Sequence, residues 1–282
     1  MPVKAVVLLS GGMDSATCLA LARAEGREIF TLTFSYRQRH RVEVEAAEAL
    51  SSYFGVPGEN RRVVDLGPAF GGSALTDPEL EVPLDRPQKE MARVIPPTYV
   101  PARNLVFLSL AGSWAEQLGA REIWMGANAR DFSGYPDCRP EFLSAFEEAL
   151  RLGTRAGVEG EPIRLRTPLL HLSKAEIVRL GRDLGVPFEL THTCYLGLRP
   201  PCGRCDACRL RARGFREAGV EDPLFSSFRG DNGSQATAGF SPGHDQGGDA
   251  AGGSFCASLW SSGHSEQSGG HFSLSRNSQG SG

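Results

Sequence analysis

Short apolar runs alternate with longer stretches of helical spacing through the first two-thirds of the chain. Residues 4–9 (KAVVLL) form an apolar run, the pattern of a strand covered on both faces. Residues 14–25 put Cys18, Leu19 and Ala22 on one face of a helix. The same reasoning predicts strands at 28–34, 62–66, 122–126 and 163–166. It predicts helices at 38–54, 104–118, 140–153 and 173–184. Gly55-Val56-Pro57 and Gly119 stop two of them, and Phe142, Phe146 and Leu150 stripe another. Ser173 followed by Glu176 is a capping box, and Gly185 ends that helix. Strands alternating with helices predict an α/β fold, a twisted parallel sheet with helices on both faces. Ligands of such sheets sit at the carboxyl ends of the strands.

Two stretches break the rhythm. Residues 67–97 carry several prolines and glycines with little periodicity, which suggests a lid or flexible insert over the site. From 226 to 282, Gly, Ser, Gln and Asn dominate, the composition of a disordered tail. Its His244, His264 and His271 have no metal-ligand spacing. The organisation expected is an α/β domain at 1–187, a small cysteine-bearing segment with a helix at 188–225, and the tail.

Charge changes the picture little. A formal net charge of −3 on 282 residues argues against a dedicated nucleic-acid binder. Arg37, Arg39, His40 and Arg41 form one basic run, and Arg209, Arg211 and Arg213 another; both read as solvated helix faces. No apolar stretch reaches the roughly 20 residues of a membrane span. The N-terminus has no signal-peptide pattern, so a cytoplasmic protein is expected.

Candidate chemistry starts after the first strand. Ser10-Gly11-Gly12-Met13-Asp14-Ser15 joins it to a helix. The glycines let the backbone turn sharply and approach an anion, and the helix-start amides then point at it. Ser10 and Ser15 add hydroxyls. The loop is neither a Walker A sequence nor a GxGxxG fingerprint. The plainer reading is a glycine turn before a helix capped by Asp14 or Ser15.

A second cluster is made of thiols. Of seven cysteines, Cys194, Cys202, Cys205 and Cys208 crowd one segment, while Cys18, Cys138 and Cys256 are scattered. The spacing suits tetrahedral zinc held by four thiolates, with Gly203 forming the knuckle. It also occurs in iron–sulfur proteins. Four protein thiolates leave zinc no open position, so the metal folds the segment and does not catalyse.

The string SGGMDS resembles the PP-loop of the ATP pyrophosphatase superfamily. The resemblance implies that ATP is bound along Leu8, Leu9, Ser10, Gly11, Gly12, Met13, Asp14, Ser15, Ala16, Thr17 and Cys18. It implies attack of a substrate oxygen on the α-phosphorus and departure of pyrophosphate. Mg²⁺ is expected to spread that charge, with Asp14 as a candidate carboxylate. The adenine is expected beside Thr33, Phe34 and Ser35.

Further strings narrow the resemblance. They are Ser35–His40 (SYRQRH), Thr98–Asn104 (TYVPARN), Gly126–Ala129 (GANA) and Asp131–Arg139 (DFSGYPDCR). With the loop and the four cysteines, they resemble the 7-cyano-7-deazaguanine synthase family from about residue 3 to 219. Two positions depart from the family's usual pattern. Tyr-Arg-Gln-Arg-His stands for Tyr-Gly-Gln-Arg-His, and Pro-Ala-Arg-Asn stands where Pro-Gly-Arg-Asn is often seen. The second puts the Cβ of Ala102 where the backbone has to bend.

The resemblance implies an ATP-dependent carbon–nitrogen ligase that converts 7-carboxy-7-deazaguanine and ammonia to the nitrile. Arg103 and Lys174 are then the cations for phosphate or carboxylate, with Ser10, Asp14 and Ser15 in the catalytic loop. Asp131 and Asp137 are candidates for the guanine-like N–H edge. Tyr99, Phe132 and Tyr135 are candidates for stacking on the ring. His40 is as well explained as a core histidine, and Cys138 has no step that needs a thiol. With no N-terminal cysteine after Met-Pro, free ammonia is the expected nitrogen source. Relatives suggest a homodimer. Two other functions fit parts of the pattern: a tRNA-thiolating PP-loop enzyme, and a non-enzymatic nucleotide-binding zinc module.

Overall fold

The structure is a computed structural model that describes residues 1–36, 41–91, 94–130 and 134–226. The expectations for Arg37, Arg39, His40, Asp131, Phe132 and most of the tail lie outside these residues.

Five parallel strands form the sheet: β1 (Lys4–Leu8), β2 (Glu28–Ser35), β3 (Arg61–Asp65), β4 (Glu122–Met125) and β5 (Arg164–Arg166). The larger helices are α1 (Met13–Ala24) and α2 (Val42–Tyr53), then, beyond the single turn α3 (Gln88–Met91), α4 (Arg103–Leu118) and α5 (Pro140–Gly153). After the short α6 (Arg155–Val158) come α7 (Lys174–Asp183), α8 (Asp206–Ala218) and the short α9 (Pro223–Ser226). Strand order is β3-β2-β1-β4-β5, so the order reverses between β1 and β4. That reversal opens a crevice at the strand ends.

β1 reads as a continuous apolar run because both its faces are covered. Ala5 and Val7 point to one side, among Leu19 of α1, Leu50 of α2, Ile177 of α7 and Phe215 of α8. Val6 and Leu8 point to the other, among Leu108 and Trp114 of α4 and Leu143 and Leu150 of α5. The two cores are the predicted helix layers. The edge strand β3 is the exception, with Arg62, Val63 and Asp65 exposed.

The segment at 67–97, expected as a lid or flexible insert, touches the cavity through Leu75 and is fastened to the cysteine segment at 84–86. Leu84 pairs with Cys205 as an isolated bridge, the Asp85 N–H donates to Arg204 O at 3.0 Å, and Arg86 pairs with Asp206 at 2.7 Å. No helix among the described residues is long and apolar enough to cross a membrane.

Candidate active site

The loop after β1 works because two positions cannot carry a side chain. Gly11 has φ +81°, and a Cβ there would meet the Glu43 carbonyl of α2 at 2.4 Å. A Cβ on Gly126, at the end of β4, would lie 2.9 Å from the Asp14 carbonyl. Gly11 lets the loop press against α2, and Gly126 lets the end of β4 press against the start of α1.

No side chain caps α1, whose N-cap is Gly12. The plainer reading, a helix capped by Asp14 or Ser15, therefore fails. The first amides of α1 are left for a ligand, at the positive end of the helix dipole. The serines are instead spent on the loop itself. Ser15 Oγ donates to Gly12 O at 3.0 Å and accepts from the Ser10 N–H at 3.2 Å. Ser10 Oγ lies 3.1 Å from Ser15 Oγ and accepts from the Gly12 N–H at 3.4 Å.

Lys174 arrives at this loop as the first residue of α7. The Ser173–Glu176 capping box fixes that helix start, with the Ser173 N–H donating to Glu176 Oε2 at 2.7 Å. Hydrogen bonds from Ser173 hold the Glu176 carboxyl below the usual range. Lys174 is only 8% exposed and donates to Asp14 Oδ2. The other oxygen, Asp14 Oδ1, is buried and has no hydrogen-bond partner.

A cavity of about 300 Å³ opens beyond the loop, at the carboxyl ends of β1, β2 and β4. Leu8, Leu9, Ser10, Gly12, Met13, Asp14, Ser15, Lys174, Arg103 and Tyr135 all line it. Thr33 and Phe34 line it too; Thr33 Oγ1 donates to Leu9 O at 2.8 Å and Phe34 stacks on Phe107 at 4.0 Å. The remaining expected nucleotide contacts point elsewhere. Gly11 faces α2, Ala16 and Cys18 are in the core, and Thr17 Oγ1 donates to Met13 O at 2.9 Å. A helix turns such residues away from its N-terminal ligand every few positions.

Arg103, the first residue of α4, lines the same cavity. Its Nη1 donates to the Tyr36 hydroxyl at 3.1 Å, and its guanidinium lies 5.7 Å from the Tyr36 ring centre and 6.0 Å from that of Phe107. Among the described residues no carboxylate pairs with it. Tyr135 is buried, with its hydroxyl 3.1 Å from Thr98 Oγ1 and 3.5 Å from the Tyr195 hydroxyl. Burial raises the pKa of Tyr36, Tyr135 and Tyr195, so all three are neutral hydroxyls at pH 7.

Two expected substrate residues are engaged behind this wall. Asp137 Oδ2 accepts the Asn104 N–H at 2.9 Å and so caps α4 from another segment. The Tyr99 hydroxyl accepts the Ala102 N–H at 3.0 Å, and its ring lies 5.8 Å from Tyr135. Cys138 lines the cavity; burial, then the Asp137 charge, push its thiol up to about 12. It is not a nucleophile near pH 7.

Residue-by-residue reading missed Tyr36, Phe107, Asn128, His192, Thr193 and Tyr195, which all line the cavity. Tyr36 and Asn128 lie in strings already singled out, but no spacing rule marks them. His192 to Tyr195 could have been suspected from their place beside Cys194. Arg211 is not on the solvated face that its basic run suggests: it is 1% exposed and lines the cavity.

The four thiols of Cys194, Cys202, Cys205 and Cys208 all lie within 4.8 Å of one another. Gly203 turns at φ +69°, and the Arg204 and Cys205 N–H groups donate to Cys202 Sγ at 3.4 and 3.3 Å. Sulfurs packed this closely cannot all lose their protons without a cation between them. The cluster has the geometry of a metal site.

The sequence pattern of the family described as queuosine biosynthesis protein QueC matches residues 4–219. A 7-cyano-7-deazaguanine synthase of Anaeromyxobacter dehalogenans (strain 2CP-C) is 59% identical over 221 residues, 78% of this chain and 94% of that one. Another, of Saccharophagus degradans (strain 2-40 / ATCC 43961 / DSM 17024), is 53% identical over 222 residues, 78% of this chain and 96% of that one. Among solved structures, NMN synthetase from Francisella tularensis covers 84% of this chain and 80% of its own, at 17% identity and a TM-score of 0.41. That likeness is too distant to bear on the site. A pattern that spans the loop after β1, the cavity wall and all four cysteines, with relatives above half identity, settles the kinship: the chain belongs to the QueC family, the ATP-using 7-cyano-7-deazaguanine synthases of queuosine biosynthesis.

Proposed function

We propose that this cavity activates the carboxylate of 7-carboxy-7-deazaguanine with ATP and delivers it to free ammonia, yielding 7-cyano-7-deazaguanine. The observation that carries this reading is one cavity lined both by the uncapped start of α1 and by the Arg103 guanidinium, which has no carboxylate partner among the described residues.

A carboxylate is a poor acceptor for an amine, so its oxygen must first become a leaving group. In the scheme, a carboxylate oxygen bonds to the α-phosphorus and the bond to pyrophosphate breaks. The uncapped α1 amides and Lys174 stabilise the charge that develops on the departing oxygens. Ammonia then bonds to the carbonyl carbon, and AMP leaves with the electron pair of the broken C–O bond. The product is the primary amide. A second ATP takes the amide oxygen in the same way. Loss of AMP and of the amide protons leaves the nitrile. One cavity serves both rounds because each presents an oxygen to the α-phosphorus of an ATP held in the same place.

Arg103 holds the carboxylate end in this scheme, as a guanidinium with no competing acid among the described residues. Tyr135 offers a ring face to the deazapurine and Thr33 and Phe34 border the adenine. Asp14 Oδ1 fits Mg²⁺, because a buried carboxylate oxygen without a hydrogen bond is a natural cation ligand. The ion would spread charge on the phosphates. The four thiolates fit structural zinc, with no open position for catalysis.

Incubation with ATP, ammonium and 7-carboxy-7-deazaguanine, followed by mass spectrometry, tests the reading. The expected product is the nitrile, with an amide seen in a single turnover. Folded, metal-loaded protein that makes neither would overturn it. Metal analysis of the same sample separates zinc from iron.

A further inference from the structure

A buried arginine needs a reason. Arg211, on α8 just beyond Cys208, has every N–H of its guanidinium engaged. Nε and Nη2 fork onto Asp222 at 2.6 and 2.8 Å. Nη2 also donates to Phe188 O at 3.0 Å. Nη1 donates to Thr191 Oγ1 at 2.6 Å and to Thr193 Oγ1 at 3.2 Å. The two threonines bracket His192. The His192 N–H donates to Gly11 O at 2.9 Å, and its own carbonyl lies 3.6 Å from where a Gly12 Cβ would stand. The strap at 191–193 is therefore held by Arg211 on one side and grips the loop glycines on the other.

We propose that Arg211 is a positioning residue for the phosphate loop: it fixes the strap at 191–193, which sets the backbone of Gly11 and Gly12 for the triphosphate of ATP. Asp222 orients the guanidinium. The geometry accounts for the burial, since a surface lysine would serve any solvated role equally well. Lysine cannot replace the fork: its ammonium is a point charge and cannot meet a planar set of acceptors on two sides. The strap leads directly into Cys194, so the cysteine segment and the ATP loop share one mechanical link. The inference rests on the reading of Gly11–Ser15 as the ATP loop.

Two variants of the full, metal-bearing chain test it: Arg211→Lys and Asp222→Asn. The second keeps the shape of the acceptor and covers the case in which the first does not fold. Hydrogen exchange is followed on the peptide at 8–18, with β4 as reference, in the presence and absence of ATP alone. We expect loop exchange about tenfold faster in the variants without ATP, with β4 unchanged. In turnover, KM for ATP should rise about tenfold, while KM for the deazapurine acid moves less than about twofold. Unchanged loop exchange in the folded variants overturns the inference. So does an equal rise in both KM values with faster exchange throughout, which marks a merely structural arginine. If ATP fails to protect the 8–18 peptide of the unaltered protein, the loop reading falls first. The role given to Arg211 falls with it, whatever the variants do.

Discussion

Ala102 is a single methyl group in an unfavourable place. It is the N-cap of α4 and adopts φ +53°, the left-handed region where a Cβ crowds the backbone. The sequence marked this position, because glycine is usual there in the family it resembles. What no pattern could supply was the sign of φ. Replacing Ala102 by glycine should relieve about 1 kcal/mol, less the entropy that glycine adds to the unfolded chain. A thermal melt should show a net gain of about 0.5 kcal/mol or less, and a loss of stability would contradict the strain. The loop serines make the opposite case. Ser10 and Ser15 were read as phosphate donors, yet their hydroxyls also hold the loop to itself. Ser15→Ala should lower ATP turnover about 10²-fold, the scale of a misplacement of about 1 Å in a loop that has lost its internal bonds, with metal content unchanged. Cys138 yields a pH test. Its thiol holds its proton up to about 12, against 9.0 for an ordinary cysteine. The folded state thus binds more protons than the unfolded one as pH rises beyond 9, and stability falls across that window. Denaturant melts of Cys138→Ala from pH 8 to 11 should lose part of this alkaline decline; an identical pH profile would remove the thiol as a cause.

At the scale of elements, what was legible depended on periodicity. β1, α5 and α7 came out within a residue of their predicted bounds because each carries its own complete signal: an unbroken apolar run, an aromatic stripe, a capping box. The insert at 67–97 did not, since what orders it lies more than a hundred residues away at Arg204 and Asp206. The start of α4 shows the same limit. Its cap is not a neighbour in sequence but Asp137, which accepts the Asn104 N–H. A turn rich in Gly, Tyr and Pro invited the reading that Asp137 faces substrate. Its Oδ2 is taken by the Asn104 N–H, so in the proposed scheme it would act on the chemistry through Arg103, one residue before Asn104. Asp137→Ala should cost about 1–2 kcal/mol as a lost cap, read by denaturant melts. It should also raise KM for the deazapurine acid more than KM for ATP. Equal changes in both would place the fault in general stability.

Across the whole molecule, the cysteine segment is part of the cavity wall, not an appendage. Tyr195 follows Cys194 and reaches the Tyr135 hydroxyl; Ala207 and Leu210 flank Cys208 and line the same cavity. The insert is fastened to the segment through Arg86 and Asp206. A chelator that strips a metal from the cluster should therefore affect catalysis, although four protein thiolates would leave that metal no open position for a reactant. Without a cation the four close thiols repel as thiolates or take up protons, and the knuckle loses the contacts that fold it. Tyr195 and the strap before it then lose their anchor, while the two apolar layers on the sheet remain. The expected result is partial: activity disappears, exchange rises at 191–210, and β1, β4 and α4 stay protected. Adding back zinc should restore both activity and protection together. If stripping left the activity intact, the cluster would be a separate stabilising knot. If it unfolded the sheet as well, the segment would be part of the core and not a wall built upon it.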